Sequence, residues 1–205
     1  MLNNTFIKRW VLLCLCVAAT SVLAVEKSAS PAKKIVDTFQ DELINVMKNG
    51  KKLGFSGRYD KLKAPVENSH DLNKIARIVV GKEWEKLSET QQQQLVDVFS
   101  RLSVASYAHN FNDYSGENFT FDNEGETKLG NAVIHYHLNI PDDKPVKFEY
   151  MLKDNGGNWR IINIIANGVS DLALKRSDYT SILQREGFDA LIAKINEKIE
   201  NYSKK

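Results

Sequence analysis

The chain has 205 residues, of which 42% are apolar and 26% are charged. This composition is typical of a globular protein, and the length is sufficient for one domain, or two small ones, with a buried core. It excludes a collagen-like protein, a disordered tail and a polytopic membrane protein.

Residues 1–24 have the pattern of a secretory signal peptide. Lys8 and Arg9 precede an apolar run, and the small residues Val22 and Ala24 then mark a cleavage point. The run is shorter than the roughly 20 apolar residues that a membrane-spanning helix needs. We therefore expect cleavage after Ala24, followed by a single mature domain over residues 25–205.

Loss of this leader changes the chemistry that is available to the chain. It removes Lys8 and Arg9 but no acid, and so cancels the net charge of +2. A neutral mature chain gives no electrostatic support for a nucleic-acid partner. Both cysteines, Cys14 and Cys16, also lie in the leader, so the mature chain has no thiol for a disulfide, a nucleophile or a metal site.

The first half of the mature chain is predicted to be helical, over residues 31–112. Ser30 and Asp71 are suited to cap helices, and Ser88 with Gln91 forms the sequence pattern of a capping box. Apolar residues recur at helical spacing after each of these starts. The predicted helices cover residues 31–48, 58–67, 72–80 and 88–112, with a loop at residues 54–57.

Beyond Ser115-Gly116 the apolar period shortens to two residues, which indicates strands. Residues 118–166 are predicted to form four antiparallel strands with one apolar face, and Asn155-Gly156-Gly157 is a hairpin turn. Helical patterning returns over residues 171–201. This order predicts an α+β fold, with a curved four-stranded antiparallel sheet whose apolar face is covered by helices.

The histidines give a weak indication of a metal site. His135 and His137 lie two residues apart on one predicted strand, so both imidazoles face the same way. A third ligand would have to come from Glu149 or another distant residue, and we therefore predict no metal. His70 and His109 are interpreted as local partners near helix ends.

No catalytic residue or cofactor is predicted. Gly168-Val169-Ser170 lacks the glycine that completes a nucleophile elbow, and no phosphate loop or dinucleotide fingerprint is present. A carboxylate in an apolar cup, as in an isomerase or dehydratase, stays open as an alternative. It requires an acid or a histidine inside the cup, whereas the apolar face of the predicted strands carries no acid. A purely structural or interaction protein with a filled core is a third possibility.

Several motifs carry a family resemblance. They are Val80-Gly81-Lys82-Glu83-Trp84, Leu87-Ser88-Glu89-Thr90-Gln91-Gln92, Tyr114-Ser115-Gly116, Asn158-Trp159-Arg160-Ile161 and Asn167-Gly168-Val169-Ser170. In order and spacing they resemble the toluene-tolerance or MlaC family of periplasmic lipid-shuttle proteins. The resemblance extends from about Ile35 to Ile195.

A narrower resemblance points to one branch of that family. Residues 47–59 and Asp71-Leu72 are similar to the hopanoid-biosynthesis-associated branch, HpnM. Two positions depart from the pattern: Asn167 stands where the family has an acid, and His70 stands where the branch has an aromatic residue.

The resemblance implies a carrier protein of the Gram-negative periplasm with an NTF2-like α+β fold. Such a carrier holds lipid acyl chains in an apolar cavity between helices and sheet, and it is not an enzyme. The expected ligand is a phospholipid or a hopanoid-like lipid. The expected partners are an inner-membrane complex of the MCE and ABC-transporter type or an RND-type lipid exporter, with a possible outer-membrane complex. We expect the carrier itself to be a monomer.

The expected cavity wall follows from the apolar stripes of the helices and strands. On α-helical and strand spacing we predict that fifteen residues line it. They are Phe39, Leu43, Tyr59, Ile75, Ile78, Val79, Trp84, Phe99, Leu102, Tyr107, Phe111, Phe148, Tyr150, Leu152 and Ile161. Two basic clusters are predicted to be exposed and to dock partners, one of Lys48, Lys51, Lys52 and Arg58 and one of Lys175 and Arg176.

Overall fold

The structure, a computed structural model, describes residues 29–204. The predicted leader, residues 1–24, lies outside the described residues. Within 29–204 the chain forms six α-helices, one short 3₁₀-helix and five strands. In chain order they are α1 (Pro31–Lys48), α2 (Gly50–Ser69), α3 (Leu72–Val80), the 3₁₀-helix (Gly81–Lys86), α4 (Glu89–Asn110), β1 (Asn118–Glu126), β2 (Ala132–Asn139), β3 (Val146–Asp154), β4 (Trp159–Ala166), β5 (Val169–Ser170), α5 (Asp171–Glu186) and α6 (Phe188–Ser203).

Three helices begin where the sequence predicts. The side chains of Ser30, Asp71 and Ser88 each accept a hydrogen bond from the backbone N–H three residues later, at 3.0–3.2 Å. The Gln91 side chain accepts in return from the Ser88 N–H at 3.0 Å, which completes the capping box. These predicted helix starts are confirmed. They could be predicted because capping depends on residues within one helical turn.

The predicted loop at residues 54–57 is wrong. The chain is already helical from Gly50, and the interruption is confined to Gly54, which has φ 61° and ψ −178°. This backbone conformation is essentially restricted to glycine. A single glycine therefore kinks α2 without ending it.

Arg58 connects the two parts of α2 to α4. Its Nε donates to the Ala108 carbonyl at 2.6 Å and its guanidinium donates to the Gly50 carbonyl at 2.8 Å. The residue is only 8% exposed. The prediction that Arg58 belongs to an exposed docking cluster is therefore wrong, because its hydrogen-bonding capacity is used inside the helical layer.

The sheet is antiparallel, and its strand order β1–β2–β3–β4–β5 follows the chain. The predicted alternation is clear in β2, where Ile134, Tyr136 and Leu138 are at most 7% exposed. Phe121 pairs with Tyr136 of β2 but is 41% exposed, because β1 is an edge strand with an irregular register after this residue. The α+β class is confirmed, while the predicted count of four strands omits β5.

The fifth strand arises from a two-residue turn. Asn167 and Gly168 have φ values of 49° and 81°, and the flanking Ala166 and Val169 pair with each other. Positive φ at both central positions is the condition for a type I′ hairpin turn, and Asn-Gly is its preferred sequence. The turn sends the chain directly into α5.

The interior of residues 29–204 contains two hydrophobic clusters. The first joins α1 and α2 to the sheet, and the second joins α3, α4, α5 and α6 around Phe99 and Leu102. Helix α4 contributes buried residues to both. A ligand site is expected where the two clusters adjoin but leave an unfilled space between them.

Candidate functional site

An apolar cavity of about 360 Å³ lies between α4, β4 and the beginning of α5. Its volume is within the roughly 300–1,000 Å³ range of small-molecule pockets. The cavity wall combines Phe111, Phe148 and Ile161 from the first cluster with Ile75 and Phe99 from the second. The complete wall is His70, Ile75, Phe99, Ser103, Ser106, Tyr107, Asn110, Phe111, Phe148, Ile161, Ile162, Asn163, Ile164, Ala166, Val169, Asp171, Leu172 and Lys175.

Two further cavities in the described part of the chain have a different character. One of about 490 Å³ lies between α5 and α6, and one of about 820 Å³ lies between α1 and the edge of the sheet. Both are lined largely by charged and amide side chains, such as Arg185 and Glu197 in the first and Asp37 and Asp41 in the second. Apolar ligands are therefore best accommodated in the 360 Å³ space, which we call the apolar cavity.

Helix α4 presents one stripe to the apolar cavity. Five residues of the helix line the cavity: Phe99, Ser103, Ser106, Tyr107 and Asn110. Their spacing of three and four residues places them on one side of the helix. The helix thus supplies both an aromatic and a hydroxyl-bearing part of the wall.

Strand β4 contributes unusually many residues because it contains a bulge. Leu152 pairs with Ile161 while Met151 pairs with Asn163, which leaves Ile162 as the extra residue. A bulge breaks the alternation of side chains between the two faces. Ile161 and Ile162 are consequently both buried, at 0% and 6% exposure, and both line the apolar cavity.

A histidine and a tyrosine form a buried polar pair in the wall. His70 Nε2 lies 3.0 Å from the Tyr107 hydroxyl, and its Nδ1 lies 3.2 Å from the Val66 carbonyl and 2.8 Å from Ser69 Oγ. Because a carbonyl only accepts and Ser69 Oγ donates to Pro65, Nδ1 carries the proton and Tyr107 donates to Nε2. Burial lowers the pKa of His70 to about 4, so the imidazole is neutral at neutral pH.

Sequence reasoning placed His70 at a helix end and missed its position in the cavity wall. The junction between α2 and α3 runs beside β4, where His70 forms a bridge to Ile161 and the Asp71 N–H donates to the Ile161 carbonyl at 2.9 Å. This contact joins segments that are some ninety residues apart in the chain and has no local sequence signal.

The beginning of α5 borders one end of the apolar cavity. Ser170 caps the helix by accepting from the Ala173 N–H at 3.1 Å, and this places Asp171 and Lys175 in the wall, where they form an ion pair. The Lys175 side chain is only 11% exposed, whereas that of Asp171 is 69% exposed. Lys175 is thus part of the wall and not the freely exposed docking residue that the sequence suggested, while Arg176 is exposed.

The structure brings six of the fifteen predicted wall residues to the apolar cavity. They are Ile75, Phe99, Tyr107, Phe111, Phe148 and Ile161. The other nine are all described residues and lie elsewhere. The first cluster buries four of them, Phe39, Leu43, Tyr150 and Leu152, and Tyr59 packs against it. The second cluster buries Val79, Trp84 and Leu102. Ile78 is half-buried on α3.

The apolar stripes do not distinguish these nine residues from the six in the cavity wall, because a stripe indicates burial but not which side of a core is left open. Tyr150, for example, is 1% exposed and its neighbour in the same stripe, Phe148, is half-buried and lines the cavity. That difference depends on which part of the sheet α1 covers, and a period-two pattern does not contain this information.

The strand histidines lie away from the apolar cavity. His135 is the cross-strand neighbour of Glu149, and His137 is that of Lys147. Among residues 29–204 no group of three or more histidine, cysteine, aspartate or glutamate side chains is arranged to hold a metal ion.

None of the helices in the described part of the chain combines the length and the apolar character needed to cross a membrane.

Fold and cavity together define the class of this molecule: an α+β protein with an apolar cavity between its sheet and its helices. The chain belongs to the MlaC protein family, whose sequence model matches residues 37–197. The family resemblance predicted from the motifs is thereby confirmed. Assignment to the HpnM branch stays a prediction.

Two relatives have informative names. The chain is 26% identical over 125 residues to the intermembrane phospholipid transport system binding protein MlaC of Haemophilus influenzae, covering 58% of each chain. It is 23% identical over 135 residues to the toluene tolerance protein ttg2D of Pseudomonas putida, covering 66% of this chain and 62% of the relative. The matched region thus spans about three fifths of the length of these relatives.

A solved structure has the same fold. The phospholipid-binding protein from Ralstonia solanacearum, determined in complex with a phospholipid, superposes with a TM-score of 0.75 and covers 85% of this chain and 99% of its own. Its sequence is 17% identical, so the likeness concerns the fold.

Proposed function

We propose that this chain is a periplasmic lipid carrier that holds the acyl chains of a phospholipid in the apolar cavity. The observation that carries the proposal is the cavity itself, with isoleucine and phenylalanine side chains from both clusters on its wall. Each methylene moved from water into such surroundings gains about 0.8 kcal/mol. A space of this kind therefore favours long hydrocarbon tails.

The comparisons support the phospholipid as the ligand class. The Haemophilus relative is named as a binding protein of a phospholipid transport system, and the Ralstonia structure contains a phospholipid. A hopanoid-like lipid is the alternative ligand, and it rests on the HpnM resemblance alone. The polycyclic frame of a hopanoid is rigid, so the two ligands differ in the cavity shape they require.

The cellular place and partners are part of the same proposal. The predicted leader supports export to the periplasm. A lipid cannot cross the aqueous space between the two membranes unaided at low cost. A neutral mature chain avoids retention on anionic headgroups. We expect exchange with an MCE and ABC-transporter complex or an RND-type exporter, and with an outer-membrane complex as a further partner.

The enzyme alternative requires a titratable group inside the cavity, and His70 is such a group. Its Nε2, however, already accepts the Tyr107 hydroxyl at 3.0 Å, and burial lowers the pKa of His70 to about 4. A base with this pKa is poorly matched to proton transfer near neutral pH. The pair has the arrangement of a satisfied structural hydrogen bond, which favours carriage over catalysis.

Native mass spectrometry of the protein recovered from a Gram-negative periplasm tests the proposal. We expect a folded monomer carrying the mass of a phospholipid that is released by denaturation. A His70→Phe variant, which lacks this imidazole, is expected to carry the same lipid. A folded protein with no ligand mass would contradict carriage, and a small polar ligand lost in His70→Phe would favour the enzyme.

A further inference from the structure

Lys175 is the one lysine or arginine in the wall of the apolar cavity, within the part of the chain that the structure describes. Its side chain is 11% exposed and its Nζ lies 5.9 Å from the centre of the Phe99 ring. Lysine is almost never buried to this degree unless its charge is paired. An ammonium group at this depth is therefore stabilised by an anionic partner.

The partner within the chain is a weak one. Asp171 lies one helical turn before Lys175 and its side chain is 69% exposed. Ion pairs of this spacing on a helix change an equilibrium by only about twofold, and water competes for the exposed Asp171 carboxylate. Another anion at the same place can replace Asp171 at little cost.

The position of Lys175 fits the polar end of a lipid. Val169 is 54% exposed and lies in the wall beside Asp171, so this end of the cavity opens to solvent. Ile161 and His70, also in the wall, are 0% and 7% exposed. A lipid with its tails toward the buried residues brings its headgroup to the beginning of α5, whose first-turn N–H groups also favour an anion.

We propose that Lys175 binds the phosphate of the carried lipid, with the phosphodiester replacing Asp171 as the partner of the ammonium group. The inference rests on the proposed function and adds a specificity to it. The cavity then selects a phosphate-bearing lipid over a neutral lipid with the same tails. Lys175 acts as a specificity-determining residue and Asp171 as an internal competitor of the ligand.

The neighbouring Arg176 provides a matched control. It carries the same charge one residue later, but it is exposed. Its guanidinium lies beside Gly81, at the start of the 3₁₀-helix. It does not belong to the cavity wall. A general effect of net charge on lipid binding would appear equally in Lys175 and Arg176 variants.

The experiment is a competition between two lipids with identical tails. The delipidated protein is equilibrated with vesicles containing equal amounts of dioleoyl phosphatidylglycerol and dioleoylglycerol, and native mass spectrometry gives the bound ratio. In Lys175→Met, which keeps the apolar stem but removes the charge, we expect the ratio to fall about tenfold, the effect of losing one charge-assisted contact. Lys175→Arg should restore it, Arg176→Met should leave it unchanged, and Asp171→Asn should raise it about twofold.

The outcomes separate the inference from the proposed function. Equal ratios in wild type, Lys175→Met and Arg176→Met, with lipid still bound, overturn the role of Lys175 and leave carriage intact. Binding of neither lipid by the wild type contradicts carriage, and with it the inference. If Lys175→Met does not fold, an unchanged ratio in Asp171→Asn overturns the proposal and an increase supports it.

Discussion

The buried imidazole of His70 makes the stability of this protein depend on pH in a defined direction. The folded state keeps His70 neutral until about pH 4, because burial lowers its pKa, whereas the unfolded chain protonates it near the ordinary pKa of 6.5. The unfolded state therefore binds more protons between these values, and the free energy of unfolding falls as the pH decreases through this window. At pH 7 the imidazole is mostly neutral in both states, and the penalty is only about 0.2 kcal/mol.

The size of the loss follows from the two pKa values. One pKa unit corresponds to about 1.4 kcal/mol, so the penalty reaches about 2 kcal/mol by pH 5 and about 3 kcal/mol below pH 4. It is present in every variant that keeps the imidazole buried. His70→Phe removes it, and its ring retains the contacts with Phe39, which lies edge-on to His70 at 5.0 Å.

Urea unfolding followed by far-ultraviolet circular dichroism, at a series of pH values, measures this difference. We expect wild type to lose about 2 kcal/mol more than His70→Phe between about pH 7 and pH 5. Tyr107→Phe, which retains the imidazole, is expected to keep the steep dependence. Parallel curves for wild type and His70→Phe would refute the reasoning, because the other titrating groups are common to both proteins.

Two further substitution pairs test the cavity and the kink in α2. Ser103→Trp places an indole in the 360 Å³ cavity and is expected to reduce lipid loading at least tenfold, about 1.4 kcal/mol. Leu102, its neighbour in the chain, is 0% exposed in the core, so Leu102→Trp should cost about 1–3 kcal/mol of stability and leave lipid loading of the folded protein intact. Equal loading in both variants would contradict the placement of the cavity. Gly54→Ala should destabilise by about 1–3 kcal/mol because φ is +61° there, although nothing lies within 4 Å of the added Cβ. Gly125→Ala, equally unobstructed but without a positive φ, is the control and should stay within about 0.5 kcal/mol, so equal effects at the two glycines in chemical unfolding would disprove a conformational origin.

The features predicted correctly from the sequence are those decided within a few residues. The caps at Ser30, Asp71 and Ser88 depend on one helical turn, and the structure has them as expected. The Asn167-Gly168 turn is equally local, because Asn-Gly is the preferred sequence of a type I′ turn, but the predicted strands end at residue 166. Its hairpin geometry explains β5 and the entry into α5.

The features that were missed depend on tertiary contacts. The bulge at Ile162 breaks the alternation on which the predicted strand faces relied, and it turns two consecutive isoleucines into the cavity wall. His70 reaches the same wall only because the junction of α2 and α3 pairs with β4. Lys175 appeared to be part of an exposed basic cluster, since a helical pattern does not reveal which side of α5 covers the cavity.

The central claim, that lipid tails occupy the space between α4, β4 and α5, is tested most directly by photo-crosslinking. A benzophenone amino acid is placed at Ser106, in the wall of the apolar cavity, or at Ser181, in the polar cavity between α5 and α6. After expression in a Gram-negative periplasm and irradiation, the account predicts a phospholipid adduct at residue 106 and none at residue 181. An adduct at residue 181 alone, or at neither position in a folded protein, would contradict it.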